Sequence, residues 1–266
     1  VTTHPAARGT LYLVPTPLDF GIKQDAPASA GEWLPAETWM TASRITHWIT
    51  ENAKSTRAFL KRIDAVHPLA APLQAQHVVE LPRAAHKKGD HAPHADVDAQ
   101  ARELLSPAEL GHDMGLVSEA GMPAIADPGS SIVRAAHTLG VRVVPLTGPI
   151  SLMLALAASG LNGQSFAFVG YVPQDTLERA QRLKELESLA LKTGQTQIVI
   201  ETPYRNAALL QGMLHTLHPH TRLAVCGALT LPQQVCRSAL VHDWKRDPRL
   251  AASLPLEAPC VFLLGR

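Results

Sequence analysis

The sequence predicts an α/β protein folded as two α/β domains, residues 1–147 and 148–266. Three observations carry that reading. Short β-branched runs recur along the whole chain and stop at Gly, Pro or a polar residue, as buried strands do. Helical patterns lie between several of them, and such alternation favours parallel or mixed sheets. An apolar run ends in Leu146-Thr-Gly-Pro149, and a second strand–helix series follows that hinge. The composition, 46% hydrophobic and 18% charged over 266 residues, excludes disorder and is enough for two cores.

The expected strands are, in order, 11–14, 45–49, 115–118, 141–145, 165–169, 196–201, 222–226 and 260–264. A helix is expected over 130–138, with Gly140 placed to cap it. Residues 177–191 set Leu among Glu, Arg and Lys at three- and four-residue intervals, the pattern of a half-exposed helix. Residues 204–217 read the same way, and 152–156 read as a core helix. Two segments break the rhythm. Residues 19–38 are rich in Gly, Pro and Ala, and residues 81–98 carry His86, His91 and His94 among Lys, Gly, Pro and Asp. Both are expected to be loops, and long loops on α/β scaffolds are often functional.

Several classes lose ground at once. The balance of 24 Lys and Arg against 23 Asp and Glu excludes a strongly basic nucleic-acid wrapper, while leaving room for a local basic groove. Cys226, Cys236 and Cys260 are too few for a disulfide framework and form no Cys-x-x-Cys pair, so a reducing, cytoplasmic location is expected. The most apolar stretch, 143–158, is too short to span a bilayer, and the first residues lack the pattern of a secretory signal. The histidines of 81–98 are irregularly spaced and no cysteine joins them, so no metal is expected. An acceptor-binding lid, with Lys87 and Lys88, is the other reading of that loop.

No Gly-x-Gly-x-x-Gly follows a strand, and there is no Walker loop and no Gly-x-Ser-x-Gly elbow. The turn chemistry lies elsewhere. It is densest in Leu116-Val-Ser-Glu-Ala-Gly-Met-Pro-Ala-Ile-Ala-Asp-Pro-Gly129. Further turns follow expected strands at Pro145-Leu-Thr-Gly-Pro-Ile-Ser151, Glu201-Thr-Pro-Tyr-Arg205 and Leu13-Val-Pro-Thr-Pro17. Small residues at strand carboxyl ends let a ligand approach the backbone. Four such turns point to one shared cleft.

The Ser118–Gly129 block, followed by Val141-Arg-Val-Val-Pro-Leu-Thr-Gly-Pro149, resembles the tetrapyrrole methylase superfamily of S-adenosyl-L-methionine (SAM) dependent methyltransferases. Within it the chain is most similar to the 16S ribosomal RNA cytidine 2′-O-ribose methyltransferase family. Leu11-Tyr-Leu-Val-Pro-Thr-Pro17 is nearly that family's opening, and Glu51-Asn-Ala-Lys-Ser-Thr-Arg57 resembles its Glu-Asp-Thr-Arg-x-Thr-Arg. Val169-Gly-Tyr-Val-Pro173 and Ile200-Glu-Thr-Pro-Tyr-Arg205 resemble its Glu-Gly-Phe-Leu-Pro and Tyr-Glu-Ser-x-x-Arg.

The resemblance implies two α/β domains with SAM in a cleft between them, a homodimer, and an RNA ribose hydroxyl as acceptor. It implies cofactor contacts at Pro15, Pro17, Gly121, Met122, Pro123, Ile125, Ile150, Ser151, Tyr204 and Leu229. Glu51 stands at the family's Glu and is the expected base, with Arg57 beside it; a helix-terminal carboxylate and a surface arginine are the competing roles. The chain also departs from the pattern. Asn52-Ala-Lys54 replaces Asp-Thr-Arg, Glu80-Leu-Pro-Arg-Ala-Ala-His86 replaces a His- and Asn-rich stretch, and Cys226-Gly-Ala-Leu-Thr-Leu231 replaces Arg-Glu-Leu-Thr-Lys. Those losses keep two other readings open, a small tetrapyrrole-like acceptor and a SAM-binding module without catalysis.

Overall fold

The computed structural model describes residues 8–19, 34–82 and 95–266. The chain divides into two compact units, Val1–Pro149 and Ile150–Arg266.

In order, the first unit holds β1 (Thr10–Leu13), α1 (Ala36–Arg44), β2 (His47–Thr50), α2 (Ala53–Asp64), β3 (His77–Glu80), α3 (Ala95–Leu104), α4 (Ser106–Glu109), β4 (Met114–Val117), α5 (Ser130–Leu139) and β5 (Arg142–Pro145). Its five strands are all parallel, in the order β3-β2-β4-β1-β5. Alternate side chains leave the two faces. Leu11, Ile49 and Leu116 pack with Ala101 of α3, Leu105 between α3 and α4, and Ile132 and Ala136 of α5. Val14, Trp48 and Val117 pack with Ala42 of α1 and Phe59, Leu60 and Ile63 of α2. Burial on both faces explains why these strands read as apolar runs rather than as alternation. A side chain at Gly115 would strike the Trp48 ring, so this glycine lets the indole lie against β4. The chain leaves β1 toward β2 on one side and leaves β4 toward β5 on the other. The neighbours β1 and β4 therefore form the switch point, where α/β sheets bind ligands.

The second unit holds α6 (Ser151–Ser159), β6 (Phe166–Gly170), α7 (Thr176–Thr193), β7 (Thr196–Glu201), α8 (Asn206–Thr216), β8 (Arg222–Gly227), β9 (Val235–Leu240), α9 (Val241–Arg246), α10 (Pro248–Ala252) and β10 (Cys260–Gly265). The sheet order is β6-β7-β10-β8-β9; β6 and β7 are parallel and the other pairs antiparallel. Leu183 and Leu186 of α7, Leu210 and Met213 of α8, and Trp244 of α9 pack with Val199, Val225 and Phe262. Helix α6 packs against β8 and β10.

The caps follow sequence chemistry. Gly140 ends α5 at φ +67°, and Asp175 caps α7 by accepting from the N–H groups of Leu177 and Glu178 at 2.9 and 3.0 Å. Four differences from the sequence reading stand out. Strands β3 and β9 were not expected; each is a sheet edge with exposed polar positions, so neither carries a buried strand's apolar run. The expected loop 19–38 already contains the start of α1, and the expected loop 81–98 contains the start of α3. His86, His91 and His94 lie outside the described residues.

Candidate active site

Three loops meet at the carboxyl end of the first sheet. The loop after β1 pairs with the loop after β4: Thr16 N–H donates to the Gly121 carbonyl at 2.9 Å, and Gly121 N–H donates back at 3.0 Å. The Thr16 hydroxyl also donates to the Ser118 carbonyl at 3.3 Å. The loop after β5 closes on both. A side chain at Gly148 would drive into the buried Pro15 ring, and one at Gly121 would meet Leu18 at 3.1 Å and the Pro149 carbonyl at 3.5 Å. Gly121 sits at φ +78°, where an L side chain is also strained.

The backbone beyond Gly121 is unusual. Ala124 and Ala126 lie at φ +64° and +65°, on either side of Ile125, which is 40% exposed. The loop after β8 repeats the device: Ala228 and Thr230 lie at φ +51° and +70° around the buried Leu229. Each such residue costs of order 1 kcal/mol, and strain of this kind gathers at functional sites.

Beside the first loop cluster lies a cleft of about 120 Å³, lined by Thr16, Pro17, Phe59, Arg62, Ser118 and Glu119 among others. Arg62 pairs with Asp19 there at 2.6 Å. Carboxylates gather at the same strand ends. Glu51, just after β2, accepts from the Glu119 N–H at 3.3 Å. Asp127 is pushed up to about 7, first by burial and then by the charge of Glu51; Glu119 adds to this and a hydrogen bond from Ser118 opposes it.

The expected site residues thus fall into groups. Pro15, Pro17 and Gly121 come together, with Met122, Pro123 and Ile125 continuing the same loop. Glu51 joins the carboxylate group. Arg57 is exposed on α2, its guanidinium leaning on the Ala53 carbonyl of its own helix at 3.5 Å. Ile150 and Ser151 form the N-terminus of α6 in the second unit. Tyr204 is 80% exposed in the turn after β7, and Leu229 is buried after β8. Sequence reasoning passed over Asp127, Glu119 and Arg62. For Asp127 the sequence holds a signal, an acidic residue inside the densest turn block, but turn chemistry alone accounts for an aspartate there.

The departures at α2 have a local account. Asn52 caps the helix, accepting from the N–H groups of Lys54 and Ser55 at 2.9 and 3.2 Å, and Glu80 accepts from Ala53 N–H at 2.8 Å. The N-terminus of α2 is therefore satisfied from within the unit.

These features fit SAM. Glycine-lined loop backbone, an exposed Ile125 and nearby carboxylates suit a ligand that joins a nucleoside to a sulfonium and an ammonium group. Residues 49–242 match the family of Tetrapyrrole (Corrin/Porphyrin) Methylases. The chain belongs to that family and is a SAM-dependent methyltransferase. Among similar proteins is Ribosomal RNA small subunit methyltransferase I of Halalkalibacterium halodurans, 32% identical over 90% of this chain and 72% of the relative. The proteins of the same name from Pseudomonas aeruginosa and Escherichia coli O157:H7 are 35% and 29% identical. They cover 53% and 89% of this chain, and 50% and 71% of their own lengths. The fold matches the crystal structure of the methyltransferase CobJ, with a TM-score of 0.54 at 14% identity over 97% of this chain and 94% of that one. It also matches uroporphyrin-III C-methyl transferase of Thermus thermophilus complexed with S-adenosyl homocysteine, with a TM-score of 0.50 at 16% identity over 97% and 98%.

Proposed function

We propose that this methyltransferase acts on small-subunit ribosomal RNA, transferring a methyl group to a ribose 2′-hydroxyl. The observation that carries the reading is the 32% identity, over nine-tenths of the chain, to a protein named for that RNA. Bound SAM would supply an electrophilic methyl group on a sulfonium. The loops after β1, β4 and β5, through Pro15, Pro17, Gly121, Met122, Pro123 and Ile125, hold the donor by shape and backbone. Ile150, Ser151 and Leu229 stay proposed cofactor contacts by resemblance alone, while Tyr204, 80% exposed, is read as a residue for the acceptor instead.

A hydroxyl acceptor must lose its proton, and a base works best when it titrates near the working pH. Asp127 meets that condition, and Glu51 beside it raises its proton affinity. Glu51 is thus read as the residue that tunes the base, and Arg57 as an exposed contact for RNA phosphate. The homodimer implied by the resemblance belongs to the same proposal, and sedimentation equilibrium tests it.

The deciding experiment uses methyl-labelled SAM and small ribosomal subunits from a host lacking the cognate methylation. Label in the 16S RNA is expected, and it should disappear with Gly121→Arg, which forces a side chain into the loop junction. Label only in small molecules would turn the reading toward a tetrapyrrole-like acceptor.

A further inference from the structure

Tyr171 and Tyr204 stand apart from the other aromatic residues described. Tyr171 follows the end of β6, and Tyr204 lies in the 3₁₀ turn after β7. The two strands are parallel neighbours, so their carboxyl ends emerge side by side. Tyrosines normally bury most of a large ring, yet Tyr204 is 80% exposed and Tyr171 58% exposed.

The turn beneath Tyr204 is firmly built. Buried Glu201 accepts from the Arg205 guanidinium and from Thr202 N–H, both at 2.7 Å. The guanidinium, anchored in this way, lies 5.1 Å from the centre of the Tyr204 ring. Arg205 titrates above its ordinary range, chiefly through the hydrogen bond to Glu201, and both Tyr204 and Tyr171 are near enough to add to the effect. The order is carboxylate, guanidinium, ring: a cation steadies one face of Tyr204 while most of the ring stays in water.

We propose that Tyr171, Tyr204 and Arg205 form a stacking platform for an unpaired nucleotide of the acceptor RNA. A base lies on the open face of Tyr204, and the charge of Arg205 favours the neighbouring phosphate. Planar rings backed by a guanidinium suit a nucleobase joined to a phosphate, and every base offers a face to such a ring. This inference rests on the ribosomal RNA reading above.

The test compares wild type with Tyr204→Ala, Tyr171→Ala and Tyr204→Trp. Methylation of small ribosomal subunits is measured alongside SAM affinity by calorimetry. Both rings are exposed, so the variants are expected to fold. The KM for subunits should rise roughly tenfold in each alanine variant, with SAM affinity unchanged, and Tyr204→Trp should restore the wild-type KM. Unchanged KM in both alanine variants would overturn the platform alone. So would loss of SAM binding in Tyr204→Ala, which would put the ring against the cofactor. A wild type that transfers nothing to subunits would overturn the RNA reading, and the platform with it; that result shows in the wild type itself.

Discussion

At the scale of single residues, Asp127 carries the sharpest consequence. Its carboxyl titrates at about 7 rather than 3.8 because burial and the charge of Glu51 disfavour ionisation. The folded state therefore holds a proton that the unfolded chain has already released between those two values. Stability linked to this group is intact below about pH 4 and is lost as pH rises through 7, by on the order of 4 kcal/mol. Asp127→Asn should leave stability at pH 4 nearly unchanged and raise it at pH 8, which denaturant melts at the two pH values would show. Activity should move the other way. If Asp127 takes the acceptor proton, wild-type kcat rises through about pH 7, and Asp127→Asn loses both that limb and roughly a hundredfold of the rate. A variant with full activity and the same pH profile would remove Asp127 from the chemistry.

At the scale of elements, the N-terminus of α2 shows how the chain absorbs a departure from its family's pattern. Read in the sequence, Asn52 is a lost carboxylate. In the fold its side-chain oxygen takes two of the helix's first N–H groups, and Glu80 takes a third. Asn and Asp cap equally well. Asn52→Ala should therefore cost about 1 kcal/mol of stability, measured as a shift in urea midpoint without a change in slope, while Asn52→Asp should keep most of it. The same view separates the two candidate arginines. Arg62 faces the cleft and pairs with Asp19, whereas Arg57 rests on its own helix.

At the scale of the molecule, charge and donor binding give tests that need no variant. A net charge of +1 leaves RNA affinity to local groups rather than to the overall field. Affinity for small subunits should still fall steeply with salt, because each neutralised phosphate releases counterions, while SAM affinity should change little. A salt-independent KM for the acceptor would favour a small substrate. SAM at a hundred times its Kd should also stabilise the fold by about 2.7 kcal/mol, visible as a raised Tm. Among the described residues no helix is long and apolar enough to cross a membrane.

The sequence by itself determined the α/β class, the strands of both sheet interiors, the cap at Gly140, and the turn block that carries the family. These are local properties: a run of β-branched residues or a glycine acts through its immediate neighbours. The edge strands β3 and β9 escaped because half-exposed strands tolerate polar residues and so lose the apolar signature. Only the tertiary structure brought Glu51, Glu119 and Asp127 to one place, set Glu80 on the helix that follows Asn52, and laid Arg205 against Tyr204. Those relations depend on distance through space and on burial. A carboxyl's proton affinity follows from what surrounds it in the fold, and residues 51, 119 and 127 become neighbours only when β2 and β4 pair.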